Sequence, residues 1–176
     1  MQPGSDVFAL EQIEVIKGPG SAFTGRGSTG GSVNLVTKSA RARDFALATA
    51  TVGTDATYRA TADINRAIGD NIAVRLNLLY GENEVAGRDV VGGSRWGVAP
   101  SIAFGLGGPR RATLDYYHFE SDELPDMGLP YERTVVNGVA HGTVIEGHDD
   151  DFYGLVNRDF RDNRADIGTL RLEQDI

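Results

Sequence analysis

A run of glycines between residues 18 and 31 is the first feature of this sequence that is suited to binding a ligand. Six glycines, at positions 18, 20, 25, 27, 30 and 31, allow positive φ angles and a close approach of the backbone to another group. Such a loop cradles phosphate when a helix follows it directly. The residues that follow, 32 to 37, are instead rich in strand-forming types, so we favour a structural loop over a phosphate site.

A second candidate is the run His148-Asp149-Asp150-Asp151. Carboxylates suit hard cations, and a neighbouring imidazole suits transition metals. Adjacent side chains do not converge on one ion without a special loop geometry, and the run does not have the spacing of an EF-hand. We interpret it as a solvated acidic loop and predict no metal site.

A third group of residues combines arginine with aromatic side chains. Arginine attracts anions, and aromatic side chains offer a surface for flat rings. The candidates for ligand binding are Arg59, Arg75, Arg95, Tyr131, Phe152 and Tyr153. The alternative for each arginine is an ordinary polar side chain that faces water.

Nothing in the sequence predicts catalysis. The chain has no cysteine, which removes thiol nucleophiles and thiolate metal sites, and no nucleophile–base pairing or pair of carboxylates is identifiable. A net charge of −8 argues against nucleic acid, because binding a phosphate backbone requires a basic surface. We therefore expect no enzyme, no resident cofactor and no nucleic-acid partner.

The elements that must position these residues alternate in polarity. One face of the segment 72–81 carries Ile72, Val74, Leu76, Leu78 and Tyr80, and the other carries Ala73, Arg75, Asn77, Leu79 and Gly81. Residues 58–65 and 95–106 follow the same rule. Runs of about ten residues match tilted strands that cross a membrane, whereas strands of soluble sheets usually have about five or six residues. A soluble antiparallel sandwich is the alternative explanation.

We predict strands at residues 44–53, 58–68, 72–83, 95–106, 111–121 and 165–176. Proline cannot donate to a neighbouring strand, so we also predict a bulge at Pro100. The links at 69–71 and 107–110 are short, and the connection between residues 121 and 164 is long. Short turns on one side and long loops on the other are typical of outer-membrane barrels, and we expect the long loop to carry functional residues.

The stretch from Leu10 to Lys38, LEQIEVIKGPGSAFTGRGSTGGSVNLVTK, resembles the end of the plug domain of TonB-dependent outer-membrane receptors. That segment has the form IERIEVLKGPxSxLYGRGSxGGxINLVTK, and Thr24 departs from it where the family usually has tyrosine. The sequence LPDMGLPY at 124–131 resembles the outer-loop motif PDYGxP of ferric-siderophore receptors, with Met127 in place of its tyrosine. The run from Phe152 to Phe160 resembles the catecholate-siderophore branch.

The resemblance implies an all-β fold with two parts. Residues 1–43 would be the C-terminal part of a plug domain with its linker, and residues 44–176 would supply about six antiparallel strands of an incomplete transmembrane β-barrel, with a long outer loop near 121–164. The family's barrel has about twenty-two strands, so six cannot close. Residues 1–4 do not read as a signal peptide. We expect the sequence to begin inside a longer reading frame that holds the rest of the plug and the TonB-binding segment upstream.

In this family, charged plug residues help to lock the plug to the barrel. The residues predicted for this contact are Glu14, Lys17 and Arg26. Because enclosed charges must be paired or hydrated, the barrel residues considered as their partners are Arg59, Asp63, Arg75 and Arg171.

The function that the resemblance implies is import of a ferric siderophore, of the catecholate type, across the outer membrane. The implied partners are the ferric siderophore, the TonB energy-transducing complex and outer-membrane lipid. A non-energised outer-membrane porin or a surface adhesin is the alternative, although neither has a role for the stretch from Leu10 to Lys38. A small soluble β protein is a third possibility.

Overall fold

The computed structural model of this chain describes residues 6–18, 30–148 and 150–176. Every regular element in these ranges is a β-strand, which confirms the predicted all-β class. The strands are β1 (Leu10–Lys17), β2 (Gly31–Thr37), β3 (Phe45–Val52), β4 (Tyr58–Ile68), β5 (Ile72–Glu84), β6 (Gly92–Phe104), β7 (Arg110–Leu124), β8 (Tyr131–Val136), β9 (Val139–Val144) and β10 (Arg161–Gln174). A search of the described residues finds no helix long and apolar enough to span a membrane.

Six strands form one antiparallel sheet, the large sheet, in the order β10-β7-β6-β5-β4-β3. Strand β10 pairs with β7, and the β8–β9 hairpin lies between these two strands in the chain. Turns at 69–71 and 105–109 lie at one end of the sheet, the short-turn end. The connections 53–57, 85–91 and 125–160 lie at the other end, the long-loop end. The predicted alternation of short and long connections holds for 85–91 and 125–160, whereas 53–57 is as short as 105–109, and a short link at this place was predicted as the exception.

Each of the six predicted strands has a counterpart in the large sheet. Strand β4 has the predicted bounds, and β5 extends one residue past the predicted end. Strand β3 is one residue shorter than predicted at each end. At the long-loop end the remaining three strands extend further, with β6 beginning at Gly92, β7 ending at Leu124 and β10 beginning at Arg161. The alternation of apolar residues stops before these ends, so hydrophobic periodicity alone does not reach them.

The β8–β9 hairpin lies inside the connection that was predicted as one long loop. Its two-residue turn, Asn137-Gly138, has φ angles of 53° and 77°. Positive φ at both positions is the geometry of a type I′ turn, for which Asn-Gly between apolar residues is the strongest short-range signal. The hairpin was therefore detectable in the sequence, although no strand was predicted within the long connection.

The prediction of a bulge at Pro100 was wrong. The pairings Val98↔His118 and Ser101↔Asp115 have the same register, so no residue is inserted between them. Pro100 keeps its place opposite Leu76 on the other side. The missing donor of the proline leaves a gap in the β6–β7 ladder, but it does not shift that ladder.

The large sheet buries its polar face and exposes its apolar face. Residues 6–18 and 30–44, here called the N-terminal segment, lie on the covered face. Nearly buried polar side chains on this face are Asp63, Asn65, Arg75, Asn77, Ser101 and Asp115. Exposed apolar side chains on the opposite, bare face include Ile64, Leu78, Tyr80, Trp96, Leu114 and Leu170. Since a soluble antiparallel sheet buries its apolar face, the arrangement here is the reverse.

Two small apolar clusters lie between the N-terminal segment and the covered face. The first is Phe8, Ala9, Leu79, Ala99 and Phe119, with Tyr117 and Ala165 packed against it. The second consists of Ala40, Ala73 and Ala103, with Leu106 at its side. Neither is large, so polar contacts must contribute much of the attachment of the segment.

Candidate functional site at the contact between the N-terminal segment and the sheet

The N-terminal segment contacts the large sheet through two stretches, residues 6–11 and 38–44. The β1–β2 hairpin between them is largely exposed, with Ile13, Val15 and Val33 more than half exposed. The amide N–H of Lys38 donates to the carbonyl of Ala9 at 2.8 Å, which holds the two stretches side by side on the sheet. The charged and polar groups of both stretches form the candidate site.

The first contact is an ion pair between Asp6 and Arg59. Arg59 Nη1 and Nη2 each donate to one carboxylate oxygen of Asp6, both at 2.8 Å. This bidentate geometry makes the pair stronger and more directional than a single contact. Burial raises the pKa of Asp6, but the bonds and charge of Arg59, with the nearby charge of Arg95, hold the pKa below its ordinary value. Asp6 is therefore a carboxylate anion at neutral pH.

The second contact is apolar and depends on a glycine. The ring of Phe8 stacks on the ring of Tyr117, with centroids 5.5 Å apart. It also lies over Gly97, where an added Cβ would be 2.7 Å from Cε1 and Cζ of Phe8. The absence of a side chain at residue 97 is what gives the phenyl ring its place on the sheet.

The third contact is a network of five charged groups centred on Arg75, in which Arg41 Nη2 lies 2.8 Å from Glu11 Oε1. The guanidinium donates to both carboxylate oxygens of Asp63, at 2.8 and 2.7 Å, and to Glu11 Oε2 at 3.0 Å. Lys38 Nζ lies 3.1 Å from Asp63 Oδ2 and donates to the carbonyl of Phe8 at 2.9 Å. The side chain of Arg75 is 4% exposed, so its charge requires these partners to offset the loss of hydration.

Residues 39–44 follow the covered face toward the short-turn end by hydrogen bonds to polar side chains. Ser39 Oγ donates to Asp115 Oδ2 at 3.1 Å, and the N–H of Ala40 donates to Ser101 Oγ at 2.8 Å. Asn65 accepts from the N–H of Arg41 and donates to its carbonyl, at 3.0 and 2.8 Å. The polar side chains of Ser101 and Asn65 are therefore explained by the backbone that they bind.

The contact residues predicted for the plug lie elsewhere. Glu14 accepts hydrogen bonds from Gln12 and Asn34, at 3.1 and 2.9 Å, and these bonds stay within the β1–β2 hairpin. Lys17 is exposed and forms no ion pair with any residue that the structure describes. Arg26 lies outside the described residues. The charged residues of the segment that form ion pairs with the sheet are Asp6, Glu11, Lys38 and Asp44, none of which was selected from the sequence.

Three of the four barrel residues considered as partners of the plug contact the N-terminal segment. Arg59, Asp63 and Arg75 each bind the N-terminal segment, whereas Arg171 is exposed near the free edge of β10. Two of the predicted ligand-binding arginines, Arg59 and Arg75, are thus engaged with carboxylates of the chain itself. The alternation in β4 and β5 predicted that these charged residues share the inward face of the sheet. Which carboxylate each one binds depends on the path of residues 6–11.

Arg95 lies on the covered face at the long-loop end. Its Nη2 donates to Asn83 Oδ1 at 2.5 Å, and its stem lies over Gly81. It lines a cavity of about 350 Å³ together with Gly93, Asp126 and Arg161. Of the predicted ligand-binding arginines, it is the one whose guanidinium forms no ion pair with a carboxylate of the described residues.

The predicted aromatic residues all lie in the connection between β7 and β10. Tyr131 begins β8 and is 68% exposed, while Phe152 and Tyr153 follow β9. The hydroxyl of Tyr153 donates to the carbonyl of His148 at 3.2 Å. Partial burial raises the pKa of this phenol, and the charge of Asp151 raises it further. These residues are not brought together with Arg59 or Arg75 by any contact between described residues.

Among the described residues of the acidic run, His148 Nδ1 and Asp151 Oδ2 are within hydrogen-bond distance, 2.6 Å apart. Asp149 lies outside the described residues. Within the described ranges, no group of three or more histidine, aspartate or glutamate side chains is arranged to hold a metal ion. The carbonyl of Asp150 accepts from the N–H of Asp89 at 3.0 Å, which links two of the long connections.

The chain is similar to known receptors over almost its whole length. It is 45% identical over 172 residues to the probable TonB-dependent receptor BfrD of Bordetella pertussis, covering 97% of this chain and 23% of BfrD. It is 40% identical over 179 residues to the catecholate siderophore receptor Fiu of Escherichia coli K12, with the same two coverages. The chain thus spans less than a quarter of the length of these relatives. No protein-family model matches it.

The fold comparison agrees with the sequences. The crystal structure of the ferric-catecholate import receptor Fiu, in its open form, matches with a TM-score of 0.84 at 39% identity, covering 97% of this chain and 27% of that one. The fold is thus that of a part of an outer-membrane receptor, and not of an enzyme. The chain belongs to the TonB-dependent receptors, and its similarity within that family is to siderophore receptors.

Proposed function

We propose that this chain is the end of a plug domain and the first strands of a transmembrane barrel, in a receptor that imports ferric siderophores of the catecholate type. In this proposal residues 1–43 belong to the plug and its linker, and residues 44–176 belong to the barrel and its outer loops. The complete receptor is energised by the TonB complex and is embedded in outer-membrane lipid. The similarity to Fiu, whose name states a catecholate ligand, supports this choice of substrate.

The observation that carries the proposal is the reversed burial of the large sheet. Leu114 on the bare face is 53% exposed, whereas Asn77 on the covered face is fully buried. An apolar face of this size is costly in water but suits the hydrocarbon of a bilayer, and the polar face suits a barrel interior that is filled by a plug. The free edges of β3 and β10 pair with no described strand, as expected for a sheet that continues around a barrel.

The contact with the N-terminal segment supports an energised plug more than an open pore. The segment lies across the polar face and is held mainly by ion pairs and hydrogen bonds, with two small apolar clusters. Such contacts exchange with water more readily than a large apolar interface does. A porin or adhesin requires no element in this position.

The charges at the long-loop end support an anionic substrate. Arg95 lines the cavity there, and Arg59 lies in the same row of the sheet. A ferric catecholate complex is negatively charged and carries aromatic rings, so Tyr131, Phe152 and Tyr153 in the outer loop offer surfaces for the rings.

Deletion of the complete gene in its own host tests the function. Under iron limitation, we expect the deletion strain to lose growth on a ferric catecholate as the iron source, and a plasmid copy to restore it. Growth of the deletion strain equal to wild type on both catecholate and hydroxamate sources would contradict the proposed function.

A further inference from the structure

The pairing of Asp6 with Arg59 occupies one half of a two-arginine site on the sheet. Arg59 pairs with Gly81 on β5, and Gly81 pairs with Arg95 on β6, so the three residues form one row across the covered face. Because Gly81 has no side chain, nothing in that row stands between the two guanidinium groups. The stem of Arg95 lies over Gly81, with Cγ 3.3 Å from the position that a Cβ would take.

The carboxylate of Asp6, which comes from the N-terminal segment and not from the sheet, occupies this site. The carboxylate is bound in the fork geometry that guanidinium offers to any planar oxyanion. The side chain of Asp6 is 9% exposed and that of Arg59 is 32% exposed, so the carboxylate is enclosed while the guanidinium remains partly accessible. The site also lies near the long-loop end, since Arg59 is the second residue of β4.

We propose that Arg59 and Arg95 form an oxyanion-binding site that Asp6 fills in the ligand-free receptor, and that an oxyanion of the transported complex displaces Asp6 from it. The inference rests on the proposed function for the identity of the anion. The exchange replaces one charge-assisted pair by another and returns the Asp6 carboxylate to water, so the number of pairs at Arg59 is conserved.

The exchange has a local consequence for the N-terminal segment. Residues 38–44 are held separately, by Asp63, Ser101, Asp115 and Asn65, and do not depend on Arg59. Phe8 and Ala9 are also held by Lys38, which donates to both of their carbonyls, whereas Asp6 and Val7 depend on the ion pair with Arg59 and on a hydrogen bond from the N–H of Asp6 to the Tyr117 hydroxyl at 3.3 Å. Binding of an anion at Arg59 therefore loosens Asp6 and Val7 and leaves the later stretch in place, which links ligand binding to the part of the segment that comes first in the chain.

The test measures the affinity of the complete receptor in detergent for ferric tris(catecholate), a trianion. Removal of the internal competitor by Asp6→Asn is expected to tighten binding about tenfold, which corresponds to one charge-assisted hydrogen bond. Arg59→Gln is expected to weaken binding by a similar factor, and Arg59→Lys, which keeps the charge but not the fork, by less. Asp70→Asn, which removes one negative charge at the short-turn end, is the matched control and is expected to stay within about twofold of wild type.

A spin label at Val7→Cys gives the second readout, because the chain has no cysteine of its own. We expect the label to gain mobility when the probe saturates the receptor with Asp6 intact. Unchanged or weaker affinity in Asp6→Asn, or a label that stays immobile at saturation, overturns the exchange while leaving the proposed function in place. A wild-type receptor that does not bind the probe at all overturns both.

Discussion

The phenyl ring of Phe8 lies directly over Gly97, so that a single methyl group at residue 97 would meet Cε1 and Cζ of the ring at 2.7 Å. Phe8 is the most voluminous apolar side chain that the N-terminal segment buries on the sheet, at 6% exposure. Gly97 thus has a specific role in holding the segment, one that backbone flexibility does not explain. The contact joins a residue at the start of the described chain to the middle of β6.

Gly97→Ala is therefore expected to displace Phe8 and loosen residues 6–9. Overpacking of this kind costs about 1–3 kcal/mol, and we expect it to weaken the binding of the N-terminal segment to the sheet by that amount. The measurement is the rate at which a thiol reagent modifies Ala9→Cys, a position that is 3% exposed in the docked state. We expect modification to accelerate about tenfold or more in the Gly97→Ala background.

Gly168→Ala is the matched control for this substitution. An added Cβ at Gly168 has no heavy atom within 4 Å, although it also lies in a strand of the large sheet. Equal rates of modification in the two variants would show that the absence of a side chain at residue 97 is not needed for the packing of Phe8.

Arg75→Met is expected to destabilise the complete receptor by about 3 kcal/mol, because it leaves Asp63 and Glu11 without their shared cation inside the structure. The estimate is at the low end for a buried pair, since Lys38 still contacts Asp63 and Arg41 still contacts Glu11. The measurement is the free energy of unfolding from a urea titration in detergent micelles.

The exposed pair of Arg161 with Glu123 supplies the comparison. Its atoms are 3.4 Å apart, and the two side chains are 60% and 37% exposed, so Arg161→Met should cost less than about 1 kcal/mol. A loss for Arg75→Met no larger than that for Arg161→Met would remove the charged network from the account of how the segment is held.

The ion pair of Asp6 predicts a pH dependence at the acidic end. Burial opposes ionisation of Asp6, but Arg59 outweighs it, so the folded-state pKa lies below the ordinary value of 3.8. A depressed pKa contributes stability that is complete above about pH 4 and is lost as the pH falls through the folded-state value. We expect a spin label at Val7→Cys to become mobile below pH 4 and to be unaffected between pH 5 and 8.

The Asp6→Asn variant controls for other titrating groups. Its label should be more mobile at neutral pH and should show no step below pH 4. A step of the same size in both variants would assign the transition to a different residue.

Introduction of a charge on the bare face tests its contact with lipid. Ile64 lies in the middle rows of that face, where a lysine is expected to cost about 2–4 kcal/mol, whereas the cost near the membrane surface is about 0–1 kcal/mol. Ile64→Lys should therefore reduce the heat-modifiable, assembled fraction of the receptor in outer membranes. Ser94→Lys, near the long-loop end of β6, should assemble like wild type. Normal assembly of Ile64→Lys would place the bare face away from hydrocarbon.

The parts of this structure that the sequence predicts are those with a local signal. Alternation in β4 and β5 predicts both the strands and the two faces, because the period of two is fixed by backbone geometry. Asn137-Gly138 predicts the β8–β9 hairpin equally well, although the prediction made from the loop's length overlooked it. The membership in the receptor family follows from the stretch between Leu10 and Lys38.

The partners in the ion pairs could not be predicted from a local signal in the sequence. Glu11 and Glu14 both lie in β1, and both belong to the stretch from Leu10 to Lys38 that resembles the family. Only the path of β1 relative to the sheet decides that Glu11 reaches Arg75 while Glu14 stays within its hairpin. Asp6 likewise has no local signal, since its role arises from Arg59, which is 53 residues away in the chain.

The central claim is that the large sheet is a membrane-spanning wall with lipid on one side and the plug on the other. The most direct measurement is a scan of single cysteines along residues 73 to 80 of β5, each spin-labelled in the complete receptor in lipid bilayers and probed with oxygen, which is concentrated in hydrocarbon, and with a water-soluble nickel chelate. We predict high oxygen access at positions 74, 76 and 78 and low access to both reagents at 73, 75 and 77. Oxygen access that does not alternate, or that is highest at the odd positions, would contradict the account.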